Sequence, residues 1–283
     1  MRLSLPGNRP WTFYALAAFF ALYVAFVYGP MAVIYVLSFQ GRDGGMTFPL
    51  MGMSTHWFYM LLTGGNRAVD IPGAFRRSII LAVAVGALTV VMCVAAGLGF
   101  RRRFPGSGFV FYMAIASLVL PGLFVGLGVS LIFQLLGWTT DWRVSGLFTQ
   151  LTWTLPFGLL IMISVIGRFN RSWEEAATDL GATAWKRTRE ITLPILLPGI
   201  IGVALFGFTL SYDEFPRTVL TAGSVNTLPL EIWAMTTNVT SPALYAVGTV
   251  TTAVSFVVIT LALGSIALIQ RRRSRRAAAA AAE

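Results

Sequence analysis

Few residues in this 283-residue chain could do covalent or metal chemistry. It has a single histidine, His56, a single cysteine, Cys93, and a single lysine, Lys186. One histidine removes multi-histidine metal sites and argues against a Ser-His-Asp hydrolase. Cys93 lies inside an apolar run, so neither an intramolecular disulfide nor a cysteine-based zinc cluster can form. Lys186 follows no glycine-rich loop, which excludes a Walker A phosphate cradle. No catalytic set, metal site or bound cofactor is therefore expected, and if nucleotide powers the chain, another subunit must bind it. Two polar clusters remain: the stretch 168–194 and the acidic pair Asp213-Glu214.

The elements that must position these clusters are read from composition. The chain is 56% hydrophobic and 11% charged, with a mean hydropathy of +0.75, whereas soluble domains carry about 25% charged residues. This is a membrane chain. Crossing the hydrocarbon takes ~20 mainly apolar residues, because every backbone N–H and C=O must be bonded within its own segment. Six segments qualify, at 12–38, 78–99, 109–135, 147–167, 195–212 and 243–269, and none contains a charged residue. The run 12–38 is too long for a signal-peptide core and should remain as the first span. The stretch 44–66 is uncharged too, but Pro49, its glycines and its hydroxyls predict a loop with a short interfacial helix near Ser54 to Leu62.

Six spans put both termini on one side, and the lysine and arginine count selects it. On the terminal side lie Arg2, Arg9, Arg101 to Arg103, Arg168, Arg171, Lys186, Arg187, Arg189, Arg271 to Arg273, Arg275 and Arg276. The other side has Arg42, Arg67, Arg76, Arg77, Arg143 and Arg217. Fifteen against six predicts cytoplasmic termini, with Arg76-Arg77 running against the bias. The net charge of +10 then marks topology and contact with anionic lipid, not nucleic-acid binding.

The stretch 168–194 has a clear local code. Ser172 followed by Glu175 forms the pattern of a capping box, predicting a helix from Trp173, and Gly181 suits its C′ position. Thr183 can cap a second short helix from Ala184, and Pro194 opens the fifth span. Glu175-Ala176-Ala177, Gly181 and Ile191-x-Leu193-Pro194 resemble the EAA loop of type I ABC-importer permease subunits, the binding-protein-dependent permeases. That resemblance implies an all-α membrane fold with six transmembrane helices and an ATPase-coupling loop, in a multi-pass protein of the bacterial inner membrane. It assigns Glu174, Glu175, Ala176, Ala177, Asp179, Gly181, Ile191, Leu193 and Pro194 to that loop. It also implies the partners: a second permease subunit, non-identical on the polyamine resemblance, an ATPase dimer carrying ATP and Mg, and a periplasmic binding protein. A surface helix bound only to lipid headgroups is the plainer alternative.

The resemblance covers most of the chain. The segment Ser54 to Tyr59, with Trp57, is similar to the periplasmic segment after the first span of such permeases, and Leu120-Pro121-Gly122 to their broken third span. Pro121 kinks the helix either beside a solute pathway or only to improve packing through Gly122 and Gly126. At 1.5 Å per residue from Pro194, Asp213-Glu214 lies about 28 Å along the helix, near the outer edge of the hydrocarbon. Two carboxylates there either receive a cationic substrate or form an ordinary helix end paired with Arg217. The pattern Ser211-x-Asp213-Glu214, with Leu228-Pro229-Leu230 and Trp233, resembles the spermidine/putrescine branch. That branch commonly carries an acidic residue after the proline, where this chain has Gly122, so opines and amino-acid derivatives stay open as alternative cargo. A stand-alone secondary transporter would need mid-depth charges, and the six segments offer none.

Overall fold

A computed structural model describes residues 10–63, 70–102, 104–238 and 241–280. Among these it contains helices and no strand. The expectations attached to Arg2, Arg9, Arg67, Arg103 and residues 281–283 lie outside the described residues. The chain divides into two compact units, one of residues 1–67 and 235–252 and one of 68–234 and 253–283.

In the first unit, helix α1 (Trp11–Leu37) matches the first expected span. Phe19, Phe20 and Phe26 are exposed along it, as suits a helix whose solvent is lipid. The loop that follows is organised by Gln40, whose side chain is fully buried. Its amide donates to Gly45 O at 3.1 Å and Thr47 O at 3.3 Å, while Oε1 accepts from Met51 N at 2.8 Å. One glutamine thus satisfies backbone groups that an irregular loop would otherwise leave orphaned. Helix α2 (His56–Thr63) is the expected short helix, shifted by one or two residues. Trp57 Nε1 donates to Gln40 O at 2.9 Å, fixing α2 to the loop.

The second unit is built on α3 (Ile71–Phe100), α6 (Leu147–Gly167) and α9 (Leu193–Tyr212), which pack against one another. Helix α3 begins seven residues before the expected span because Asp70 caps it, accepting from Gly73 N at 3.0 Å. Arg77 thereby lies in its first turns, with Nη1 3.0 Å from Asp70 and Nε donating to Asn226 O at 2.6 Å. These partners explain one half of the arginine pair that runs against the charge bias. Small residues set the helix crossings. A Cβ on Gly207 would sit 3.0 Å from Gly86 Cα, and one on Gly158 would sit 2.6 Å from Cys93 Sγ. Close backbone approach of this kind is how helices associate where lipid removes the hydrophobic drive between them. Met162, Leu196 and Val203 fill the core nearer the 168–194 side, and a Thr89–Thr154 hydroxyl bond of 2.8 Å ties α3 to α6.

The third expected span is not one helix. Helix α4 (Ser107–Val119) and helix α5 (Gly122–Leu135) meet at an angle of 108°. Leu120 is extended at ψ 127°, as a residue before proline tends to be, and Pro121 continues extended at ψ 131°. Thirteen residues make α4 about 20 Å long, too short to cross a core of about 30 Å. Five helices among the described residues are long and apolar enough to span, and the bent pair could make a sixth crossing only jointly. A π turn, Trp142–Gly146, leads into α6. Helix α10 (Leu228–Asn238) precedes α11 (Ala243–Ala280), which runs past the expected end of the last span into the arginine-rich tail.

Candidate functional site

The 168–194 stretch folds as helix α7 (Ser172–Asp179), a glycine turn, and helix α8 (Ala184–Arg187). The capping box does not form. Ser172 is already inside the helix, and the nearby Asn170 Oδ1 accepts from Ser172 N at 3.0 Å instead. The helix end is as the sequence indicates. Gly181 has φ +80°, Gly181 N bonds Thr178 O at 2.9 Å, and Ala182 N bonds Ala177 O at 2.9 Å. That pair of bonds is a Schellman stop, which needs a residue tolerant of the left-handed region. Thr183 Oγ1 caps α8 by accepting from Lys186 N at 3.3 Å. Helix α8 is not a separate piece, because a π turn, Thr188–Thr192, joins it to α9 in one continuous rod, Ala184–Tyr212. Ile191 lies in that turn, and Leu193 and Pro194 open α9.

Within this element the two glutamates diverge. Glu175, Ala176 and Asp179 are exposed, Ala177 is buried, and Leu180 and Trp185 present apolar side chains to the outside. Glu174 instead turns inward. Its carboxylate takes both arms of Arg101 at 2.7 and 2.8 Å, and Thr192 Oγ1 donates to it at 2.5 Å. The paired guanidinium holds the Glu174 carboxyl down at about 2 and raises the pKa of Arg101 in turn. Arg101 also lies 5.0 Å over the Phe169 ring, and Arg171 donates to Arg101 O at 3.0 Å. A bidentate charged bond is geometrically selective. It therefore joins the end of α3, helix α7 and the root of α9 in one knot. Arg101 and Thr192 escaped the sequence reading, although Arg101 belongs to an arginine run at the predicted cytoplasmic end of span two.

At the far end of α9 the acidic pair also splits. Asp213 is exposed, though the protein packed around its carboxyl raises its pKa above 3.8. Glu214 is buried, with Oε1 accepting from Arg217 N at 3.0 Å and lying 3.3 Å from Arg217 Nη1. Arg217 is 4% exposed and its guanidinium sits 4.3 Å over the Trp153 ring of α6. The same side chain fills the break after Pro121. A Cβ on Gly122 would fall 2.8 Å from Arg217 Nη1, and one on Gly126 2.7 Å from Arg217 O. Ser211 donates to Gln150 Oε1, and Gln150 Nε2 donates to Thr218 Oγ1 at 2.9 Å. Pro121, Ser211 and Glu214 thus converge on one region of this unit. Trp57 is held within the other unit by its bond to Gln40.

The second unit thus joins a broken span to a glycine-stopped helix rooted in the next span. The chain belongs to the binding-protein-dependent transport system inner membrane component family, whose model matches residues 90–276. It is 30% identical over 255 residues to the putrescine transport system permease protein PotI of Escherichia coli K12, covering 87% of each chain. It is 28% identical over 240 residues to the spermidine/putrescine transport system permease protein PotC of the same organism, covering 83% of this chain and 87% of PotC. Its fold is similar to a chain of a bacterial ABC transporter that imports the acidic polysaccharide alginate, with a TM-score of 0.69 at 16% identity, covering 92% of this chain and 96% of that one. A chain of the methionine ABC transporter MetNI matches with a TM-score of 0.58 at 13% identity, covering 77% and 99%. The chain is thus an inner-membrane permease component of a transport system.

Proposed function

We propose that this permease component moves a polyamine such as putrescine or spermidine inward by alternating access, driven by ATP hydrolysed on a separate ATPase dimer. A second permease subunit and a periplasmic binding protein complete the assembly. The similarity to two polyamine permeases over more than four-fifths of the chain carries this reading. The residues fit it. In this reading α7 and the turn into α8 dock on the ATPase through the exposed Glu175, Ala176, Leu180 and Trp185, and the Arg101–Glu174–Thr192 knot passes their movement to α3 and α9. At the other end, the exposed Asp213 supplies negative charge where an amine would enter, while the buried Glu214 is already paired with Arg217.

One observation favours a zwitterionic cargo such as an opine or an amino-acid derivative: Arg217 stands beside Gly122, so the pathway carries a cation of its own. Reconstituted uptake separates the two. Radiolabelled putrescine and spermidine should accumulate and compete with each other. Accumulation of an opine that polyamines fail to inhibit would overturn the polyamine assignment.

A further inference from the structure

Arg217 is buried, yet poorly held. Its ion pair with Glu214 spans 3.3 Å, longer than the ~2.7–2.9 Å of a good charged N–H to carboxylate bond. Its Nε is enclosed and finds no acceptor. Buried donors are seldom left so, and a buried guanidinium normally gathers partners for most of its five N–H groups. What surrounds it suits a cation in general. The Trp153 face lies 4.3 Å from Cζ, and the Glu214 carboxylate stands at the edge. The wall at Gly122 has no side chain, and a Cβ there would collide with the guanidinium at 2.8 Å from Nη1, while Gly126 packs against the Arg217 backbone carbonyl and fixes the root of the side chain. Phe157 continues the aromatic wall 5.0 Å from Trp153.

We infer that Trp153, Glu214 and the bare wall at Gly122 form a cation seat at the break in the third span, and that Arg217 is its displaceable resident. A cationic group of the substrate exchanges with the guanidinium when the pathway opens, so Arg217 sets the apparent affinity by competing from a tether. The guest's identity rests on the polyamine reading; the seat does not. Its chemistry is that of an ammonium or guanidinium over an aromatic face beside one carboxylate. A site occupied by an internal competitor binds its ligand more weakly by the fraction of time it is free. Removing the competitor should therefore tighten binding.

The test uses the complete transporter. In the first arm, the thermal stability of detergent-solubilised Arg217→Ala complex is followed with methylguanidinium or its neutral isostere methylurea. Methylguanidinium alone should raise the transition temperature, and neither compound should move the wild type. Arg217→Gln, which keeps a longer stem in the site, is measured alongside in case the alanine variant does not assemble. In the second arm, proteoliposome uptake is measured with putrescine and spermidine. Arg217→Gln should lower KM by about three- to tenfold, Trp153→Leu should raise it, and Arg217→Lys should stay near the wild type. Equal stabilisation by methylurea would overturn the seat, and so would a higher KM in Arg217→Gln, which would mark Arg217 as a binder of an anionic group. A wild type that rejects polyamines, with the first arm positive, would sink the polyamine reading and leave the seat standing.

Discussion

Replacing Glu174 with glutamine keeps the shape of the side chain and removes the charge that holds Arg101 and Thr192. Pairing lowers this carboxyl from 4.5 to about 2, which at ~1.4 kcal/mol per unit corresponds to about 3 kcal/mol. The knot borders a cleft of about 290 Å³ lined by Arg101, Arg102, Arg171 and Arg187. Water there screens the pair and leaves about 1–2 kcal/mol of useful stabilisation. A loss of that size shifts the balance between a fixed and a loosened α7 by about tenfold. The readout is the number of solute molecules imported per ATP hydrolysed in proteoliposomes of the assembled transporter. The ratio should fall several-fold in Glu174→Gln and in Arg101→Met, and the double variant should be no worse than either, because both remove one interaction. The pH dependence has a fixed sign. The folded carboxyl titrates below its unfolded value, so the stabilisation is full above about pH 5 and is lost as pH falls toward 2. Coupling should not change between pH 6 and 8 through this group. An unaltered ratio in both single variants, with normal assembly, would refute the idea that this knot transmits movement.

Other expectations follow from single residues. Gly181→Val forces a branched side chain to φ +80° and should destabilise the α7 stop by about 1–2 kcal/mol, lowering the melting temperature and uptake together. Glu175→Lys, on the exposed face of α7, should leave the protein folded in the membrane and abolish ATP-driven uptake; retained uptake would count against docking through that face. Gly158→Leu would press on Cys93 Sγ, Thr89 and Val203 and should cost about 1–3 kcal/mol, read as lost assembly. Asp213→Asn should raise KM for a cationic solute and leave KM for a neutral one unchanged.

Local rules carried much of this structure. Hydrophobic length found the apolar helices but not all their bounds, since α3 begins seven residues early, α11 runs past its expected end and the third span is broken, while turn chemistry found the Gly181 stop and the Thr183 cap. The failures were failures of locality. Nothing adjacent in sequence shows that Asn170 outcompetes Ser172 at the start of α7, or that a π turn fuses α8 to α9. Pro121 announced a kink, but a bend of 108° depends on Leu120 and Pro121 both staying extended and on Arg217 filling the gap they leave. The candidate sites showed the same limit. Each acidic pair was visible in the sequence. Which member turns inward was decided by arginines elsewhere, by Arg101 across 73 residues for Glu174 and by Arg217 wedged against Trp153 for Glu214.

The most direct test is reconstitution of this chain with its binding protein, ATPase and partner permease in proteoliposomes, followed by uptake of radiolabelled putrescine. Accumulation that requires ATP, the binding protein and an intact α7 is expected. Uptake that persists without ATP or without the binding protein would contradict it.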